Sequence, residues 1–398
     1  MRVHYAEAVY GQEEIDAVVD VLENSRHALM TGPRVADFED KVSSLFGKSD
    51  GVMVNSGSSA NTLAVQSLGL ESGSEVITPA LTFSTTVAPI LQAGLVPVFV
   101  DVEPDTFNID AGAIERMVGP KTRAIMTPNL IGNLPDWATI RGIADRHALN
   151  VIEDSADTIG STYLGDPTGT LTDISTTSFY ASHVMTAGGF GGMVSTSAPD
   201  IAERARLLRG WGRTSSIRDE SERVEDRFDV SVDGVEYDAK FLFAGVGYNF
   251  LPSEMSAAFG LVQLQRLPEY STRRQDNFQA LYEFFAGYED WFHLPRQNGD
   301  AVTAWLAFPL IVKDAAPFDR RALQTAFENA DVQTRVVFTG NVLRQPGFSD
   351  MPRREDELGY PNADRVMEAG ILLGCHQGMG AAEVEYMCDT FSAYAGSL

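Results

Sequence analysis

A histidine at position 183 stands in "SFYASHVMTAGGFGGMV" (residues 178–194), a stretch that reads as strand, tight turn and glycine-rich return. An imidazole with an ordinary pKa near ~6.5 can take and give a proton near neutrality. Three further segments carry groups of the right type to work with it. In "VNSGSSANTL" (54–63), Gly57 permits a tight turn, and backbone N–H groups with the hydroxyls of Ser58 and Ser59 can meet a phosphate at a helix N-terminus. In "VIEDSADTIGS" (151–161), Glu153, Asp154 and Asp157 end a buried strand. A carboxylate there can keep the nitrogen of a flat heteroaromatic ring protonated, which turns the ring into an electron sink. In "TPALTFSTTV" (78–87), Phe83 could stack on such a ring. Each segment also has a plainer reading: a serine-rich helix cap, acidic residues capping the next helix, a core phenylalanine.

Positioning such groups needs a scaffold, and the hydrophobic pattern supplies one. Short apolar runs at "GVMVN" (51), "EVITP" (75), "VPVFVDV" (96), "AIMTPN" (124) and "NVIED" (150) alternate with helical segments at 59–69, 84–93 and 137–147. This rhythm predicts a mainly parallel sheet covered by helices on both faces, with ligands at the carboxyl ends of its strands. Before it, "QEEIDAVVDVLENS" puts Ile15, Val18, Val19 and Leu22 on one helical face, and "VADFEDKVSSLF" does the same with Phe38, Val42 and Leu45. After it, helical patterns at 254–286 lead into strand, helix, strand and a last helix from about 381, a smaller α+β unit against which the first helix is expected to pack. The boundary is expected near residue 255, giving 1–255 and 256–398. Between the large unit's last strand and the long helix, the polar stretch 214–240 reads as an excursion with a hairpin at "VDGV".

Composition narrows the function classes. A formal charge of −25 over 398 residues argues against an extended nucleic-acid surface. No apolar run is long enough to span a membrane, the N-terminus lacks a signal pattern, and the expected location is the cytoplasm. His4, His27, His147 and His293 are scattered, so no metal site is expected, and two cysteines, Cys375 and Cys388, are too few for an iron–sulfur cluster.

Taken together and in this order, the segments resemble the DegT/DnrJ/EryC1/StrS sugar aminotransferase family of fold-type I pyridoxal-phosphate proteins. The resemblance spans nearly the whole chain, through "LMTGPRVADFEDKV", "NSGSSAN", "PVFVDVEPDTFNID", "VIEDSADTIGS", the His183 stretch, "GYNFLPSEMSAAFGLVQL" and "LGCHQGMGAAEVEYMCDTF". It implies an aspartate-aminotransferase-like α/β fold. It also implies a phosphate held by Ser58, Ser59 and Ser178, a ring covered by Phe83 and paired with Asp154, and Asp157 near the ring hydroxyl. Asn249, in "GYNF", would reach the phosphate of the partner subunit in a homodimer.

Position 183 is where that family carries its cofactor-binding lysine, and histidine has no amine to replace it. Here the chain resembles the nucleotide-sugar 3-dehydratases, whose subgroup is also marked by a segment like "QTRVVFTGNVLRQPGF" (333–348). Because "WGRTSSIRDESERVEDRF" contains no cysteine, the similarity is to the iron-free, colitose-type enzyme. This resemblance implies a non-covalent pyridoxal/pyridoxamine phosphate, a nucleotide-diphosphate 4-keto-6-deoxyhexose as substrate, and L-glutamate to restore the amine. His183 would move the protons, and Arg335, Asn341 and Arg344 are candidates for phosphate or carboxylate contacts. An aminotransferase with another base, or a catalytically degenerate relative, are the alternatives. His376 is expected to be structural or to lie at the edge of the substrate site.

Overall fold

Apolar runs bounded by turn residues become short strands when helices can cover both of their faces. In the computed structural model, which describes residues 1–217 and 223–398, seven do so: β1 (Asp50–Val54), β2 (Glu75–Pro79), β3 (Val96–Val100), β4 (Thr122–Pro128), β5 (Asn150–Ser155), β6 (Ile174–Ser178) and β7 (Gly192–Thr196). They form one sheet in the order β1-β7-β6-β5-β4-β2-β3. Only β7 runs against its neighbours β1 and β6; the other pairings are parallel. Nearly every strand residue is buried, as a sheet covered on both faces requires.

The longer helices are α1 (Gln12–Asn24), α2 (Pro33–Leu45), α3 (Gly57–Ser67), α4 (Ser84–Gln92), α5 (Trp137–His147), α6 (Pro199–Arg209), α7 (Glu254–Ala286), α8 (Arg320–Asn329), α9 (Pro361–Ala369) and α10 (Ala381–Ala395). Side-chain caps set several starts: the Ser56 hydroxyl accepts from the Ser59 N–H, and Ser253 does the same for Ser256. α7 runs 33 residues through Pro268 and links the large sheet to a smaller one. That sheet comprises β8 (Phe292–His293), β9 (Ala307–Val312), β10 (Thr334–Arg335) and β11 (Gly370–Gly374), antiparallel in the order β8-β9-β11-β10. Its core is aromatic, built on Phe285, Phe292, Phe308, Phe327 and Phe391. The N-terminal residues join it, since Val3 is buried in that core and bridges to Val332.

Two expectations about elements meet different fates. The hairpin is present, Val230–Val232 against Val235–Tyr237, with Asp233 and Gly234 at φ 50° and 81° in the turn. α1 departs from its pattern. Ile15, Val19 and Leu22 are exposed, and the face turned inward carries Glu14 and Val21. α1 packs, as expected, on the C-terminal unit, at the first half of α7. Polar bonds hold it there: Gln263 Nε2 donates to Glu14 Oε1 at 2.8 Å, and Arg266 pairs with Glu13 and Glu14.

Candidate active site

The carboxyl ends of β1, β5 and β6 converge on a cavity of about 360 Å³. Gly57, Ser58, Phe83, Asp154, Asp157, Ser178 and His183 all line it. Strand alternation sorts the acids of β5. Glu153 points to the opposite face, where Asn129, Ser155 and Ser175 donate to its carboxylate. Asp154 points to the cavity side. Its Oδ2 accepts from Asn61 Nδ2 and Thr86 Oγ1, both at 2.8 Å, and its Oδ1 accepts from the Ala156 N–H at 3.2 Å. The donors are themselves fixed. Asn61 also donates to the Thr85 carbonyl and accepts from Thr176 Oγ1, and Thr82 donates to Thr86. Burial still raises the Asp154 pKa, against the pull of these donors.

Among the described residues Asp157 has a single donor, the Ile131 N–H at 2.9 Å. Ile131 has φ 60°, a costly conformation for a β-branched residue, and the turn aims its N–H at the carboxylate. Burial, with the Asp154 charge adding to it, pushes Asp157 up to about 7.

The third group of residues forms a cradle. Ser56 caps α3, and Ser58 faces the cavity in its first turn. A Cβ on Gly57 would come within 2.6 Å of the Ser178 Cβ, so only glycine lets the end of β6 approach the start of α3 this closely. N–H groups at a helix start beside two hydroxyls suit a phosphate. Ser59 is turned away; its hydroxyl donates to Asn55 Oδ1 at 2.6 Å and lies 3.0 Å from Ser56 Oγ. Phe83 stands before α4 with half its surface open and meets Phe338 edge-on at 6.1 Å.

His183 sits on the turn after β6. Its Nδ1 lies 3.3 Å from the Ser178 carbonyl. A carbonyl can only accept, so Nδ1 bears the hydrogen and the Nε2 lone pair is free. Sequence alone implies titration near neutrality. In the fold, desolvation lowers the pKa to about 4, opposed by the Ser178 carbonyl and assisted by Arg274. The imidazole is therefore a neutral base at pH 7, and a strong acid once it has taken a proton.

The remaining sequence candidates lie elsewhere. Arg335 is exposed, with its guanidinium 5.2 Å from the ring of Tyr5, a cavity residue. Asn341 and Arg344 do not line the cavity. Asn341 is fully buried and donates to Asp364 Oδ1 at 2.7 Å, while Arg344 grips both oxygens of that carboxylate. Arg344 holds Asp364 below its ordinary pKa. Asn249 is exposed and bridges to Gly210. His376 is structural, bonded to the His4 carbonyl and the Gly378 N–H.

Sequence reasoning missed Asn61 and Thr86, although both stand in segments it singled out; their spacing places them one turn into α3 and α4. Ser182, next to His183, was equally within reach. Tyr5, Tyr180, Phe190, Leu306 and Phe338 also line the cavity, and Tyr5 and Leu306 arrive from distant parts of the chain with no local motif.

The chain as a whole is similar to known proteins. Residues 9–392 match the model of the DegT/DnrJ/EryC1/StrS aminotransferase family. The lipopolysaccharide biosynthesis protein RfbH of Salmonella typhimurium is 35% identical, over 98% of this chain and 90% of its own. The dTDP-4-dehydro-2,6-dideoxy-D-glucose 3-dehydratase of Saccharopolyspora spinosa is 34% identical over 97% and 85%. Among solved structures, the GDP-4-keto-6-deoxy-D-mannose-3-dehydratase of E. coli with bound hydrated PLP superposes with a TM-score of 0.88 at 27% identity, covering 98% of this chain and 100% of that one. The fold is thus that of the aspartate-aminotransferase-like, fold-type I proteins.

Proposed function

Because the chain belongs to the DegT/DnrJ/EryC1/StrS aminotransferase family, we propose that it is a pyridoxal-phosphate-dependent 3-dehydratase acting on a nucleotide-linked 4-keto-6-deoxyhexose. The observation that carries this reading is a neutral histidine at the turn after β6, in a cavity that none of the chain's five lysines lines. The cofactor is accordingly held without a covalent bond, in its amine form before the sugar arrives. The donor set fits it. The start of α3 at Gly57 and Ser58, with the Ser178 hydroxyl, would hold the phosphate, whereas Ser59, turned onto Asn55, would not. Phe83 would cover the ring, Asp154 would pair with its nitrogen and Asp157 would meet its hydroxyl. Bound there, the cofactor supplies an amine for the sugar's C4 ketone and a sink for electrons.

The protein's own groups do the rest. Asn61 and Thr86 hold Asp154 as an anion facing the ring nitrogen. His183 Nε2 takes up a proton while Nδ1–H stays on the Ser178 carbonyl, and the imidazolium then protonates the hydroxyl leaving C3. Phe83, Tyr180 and Phe338 restrict water. L-Glutamate restores the amine, with Arg335 at the cavity edge as the candidate for its carboxylate or for the substrate phosphate. With only Cys375 and Cys388 in the chain, the reading includes no iron–sulfur cluster.

The active unit in this reading is a homodimer in which Asn249 completes the partner's phosphate site. Asn249 is exposed beside Phe241, Phe243 and Val246, and Val246 is 95% exposed, an apolar surface that a second copy would cover. The related 3-dehydratases act on sugars carrying different nucleotides, so the base is a matter for assay.

The test is product analysis. With L-glutamate and a panel of GDP-, CDP- and dTDP-linked 4-keto-6-deoxyhexoses, one substrate should lose its C3 oxygen, releasing ammonia and 2-oxoglutarate in equal amounts. A stable 4-amino sugar with its C3 oxygen in place would make the protein an aminotransferase instead.

A further inference from the structure

Arg274 lies in the middle of α7 and is fully buried. An arginine so placed ordinarily faces a carboxylate, since an unpaired buried cation is costly. Here its four hydrogen bonds all go to uncharged oxygens. Nε donates to Gln377 Oε1 at 2.7 Å, Nη1 to the carbonyls of Trp305 and Leu306 at 3.2 and 3.0 Å, and Nη2 to the carbonyl of His183 at 3.3 Å. Gln377, held by that guanidinium, donates in turn to the next carbonyl of the turn, Val184, at 3.0 Å. Two successive carbonyls of the turn are therefore clamped from below by a linked Arg–Gln pair. Among the described residues no carboxylate pairs with Arg274. Desolvation lowers it to about 10, which still leaves it charged at neutrality.

We propose that Arg274 is a positioning residue for His183: its fork fixes the turn so that Nε2 faces the cavity, and its unneutralised charge adds to burial in disfavouring the imidazolium. This deepens the dehydratase reading and rests on it for its consequence. A base that must discharge its proton onto a departing hydroxyl works better as a strong conjugate acid, and a fixed cation behind it makes it one. The other groups around His183 do not substitute for this. Ser178 offers a carbonyl from β6, Tyr180 lies 5.9 Å away on the same turn, Asp154 and Asp157 line the cavity from β5, and Tyr5 lines it from the N-terminal segment. Burial is the larger influence against a charged imidazole, the Ser178 carbonyl favours the charge, and Arg274 is the cation that adds to burial.

The experiment reads the imidazole itself, so it stands whether or not the substrate has been identified. Histidine-labelled full-length protein is titrated by NMR, with the His183 signal assigned from its absence in His183→Asn. The native midpoint should fall near 4, with Nδ1 protonated. Arg274→Met, which keeps the side chain's bulk, should raise it by about one pH unit or more and broaden the tautomer signal. Gln377→Glu keeps the acceptor for Arg274 Nε and neutralises the guanidinium, while giving up the donor to the Val184 carbonyl, and should raise the midpoint too even if the methionine variant fails to fold. Where turnover is measured, the acid limb of kcat should move up with the midpoint while the KM for the keto sugar holds. A folded Gln377→Glu or Arg274→Met protein whose His183 titrates as in the native chain would overturn the proposal. Absence of dehydration with the predicted titration shifts would instead overturn the reading of the reaction.

Discussion

Two segments drew attention for polar residues, and the fold treats them in opposite ways. At the carboxyl ends of β5 and β6, Asp154, Asp157, Ser178 and His183 come from different elements and face one cavity. In the 333–348 segment, Asn341 and Arg344 turn onto Asp364, the former buried and the latter 62% exposed. The contrast has its cause in backbone geometry. Parallel strands already have their N–H and C=O groups paired, so side chains at their ends are free to face a ligand. A coil segment has unpaired backbone groups, and nearby polar side chains are drawn in to bond them; Asn341 Oδ1 accepts the Leu343 N–H.

The largest effect that could break this contrast is at His183. His183→Asn keeps a polar side chain of similar reach but removes the base, and dehydration should fall by about 10²–10⁴-fold, with the melting temperature nearly unchanged. Equal activity, measured as loss of C3 oxygen, would remove the strand-end cluster from the chemistry.

Asp157 offers the next largest effect, read as stability against pH in the cofactor-free protein. Its folded pKa of about 7 lies above the ordinary 3.8. Its stabilising contribution is thus complete below about 4 and is lost as pH rises to about 7. Asp157→Asn cannot titrate, so the variant should gain on the native protein across that window, by up to about 4 kcal/mol. Parallel urea-unfolding curves at pH 4.5 and 7.5 would check it; a constant difference would mean that Asp157 is solvated as an ordinary carboxylate.

The 333–348 segment should give the smallest effects, and effects on stability. Asn341→Ala empties a buried position and removes its bonds to the Asp364 carboxylate and the Leu343 N–H, and should cost about 1–3 kcal/mol. Arg344→Ala removes an exposed ion pair and should cost no more than about 1 kcal/mol, with the KM for the sugar nucleotide unchanged. A tenfold rise in that KM would give Arg344 a part in substrate binding and erase the contrast.

Period and punctuation in the chain were enough to determine the large sheet, its helices at α3, α4 and α5, the full extent of α7 and the hairpin at Asp233–Gly234, because these depend on neighbours in sequence. The same local logic exposed Gly57, Ser58, Phe83, Asp154 and His183, which stand at strand ends and helix starts where backbone geometry leaves few directions for a side chain. Other features were decided by packing across long separations. α1 carries an apolar stripe, yet Glu14 is buried beside Val21, because Gln263 on α7 satisfies it, and the stripe at Ile15, Val19 and Leu22 is left outside. His183 was legible as a titratable group, but its neutral state was not, since desolvation and Arg274, 91 positions away, set it. Tyr5 and Leu306 reach the cavity from distant parts of the chain without a motif. Burial and electrostatic coupling are sums over everything nearby in space, and proximity in space between residues 5, 183, 274 and 306 exists only once the large sheet, the long helix and the small sheet have come together.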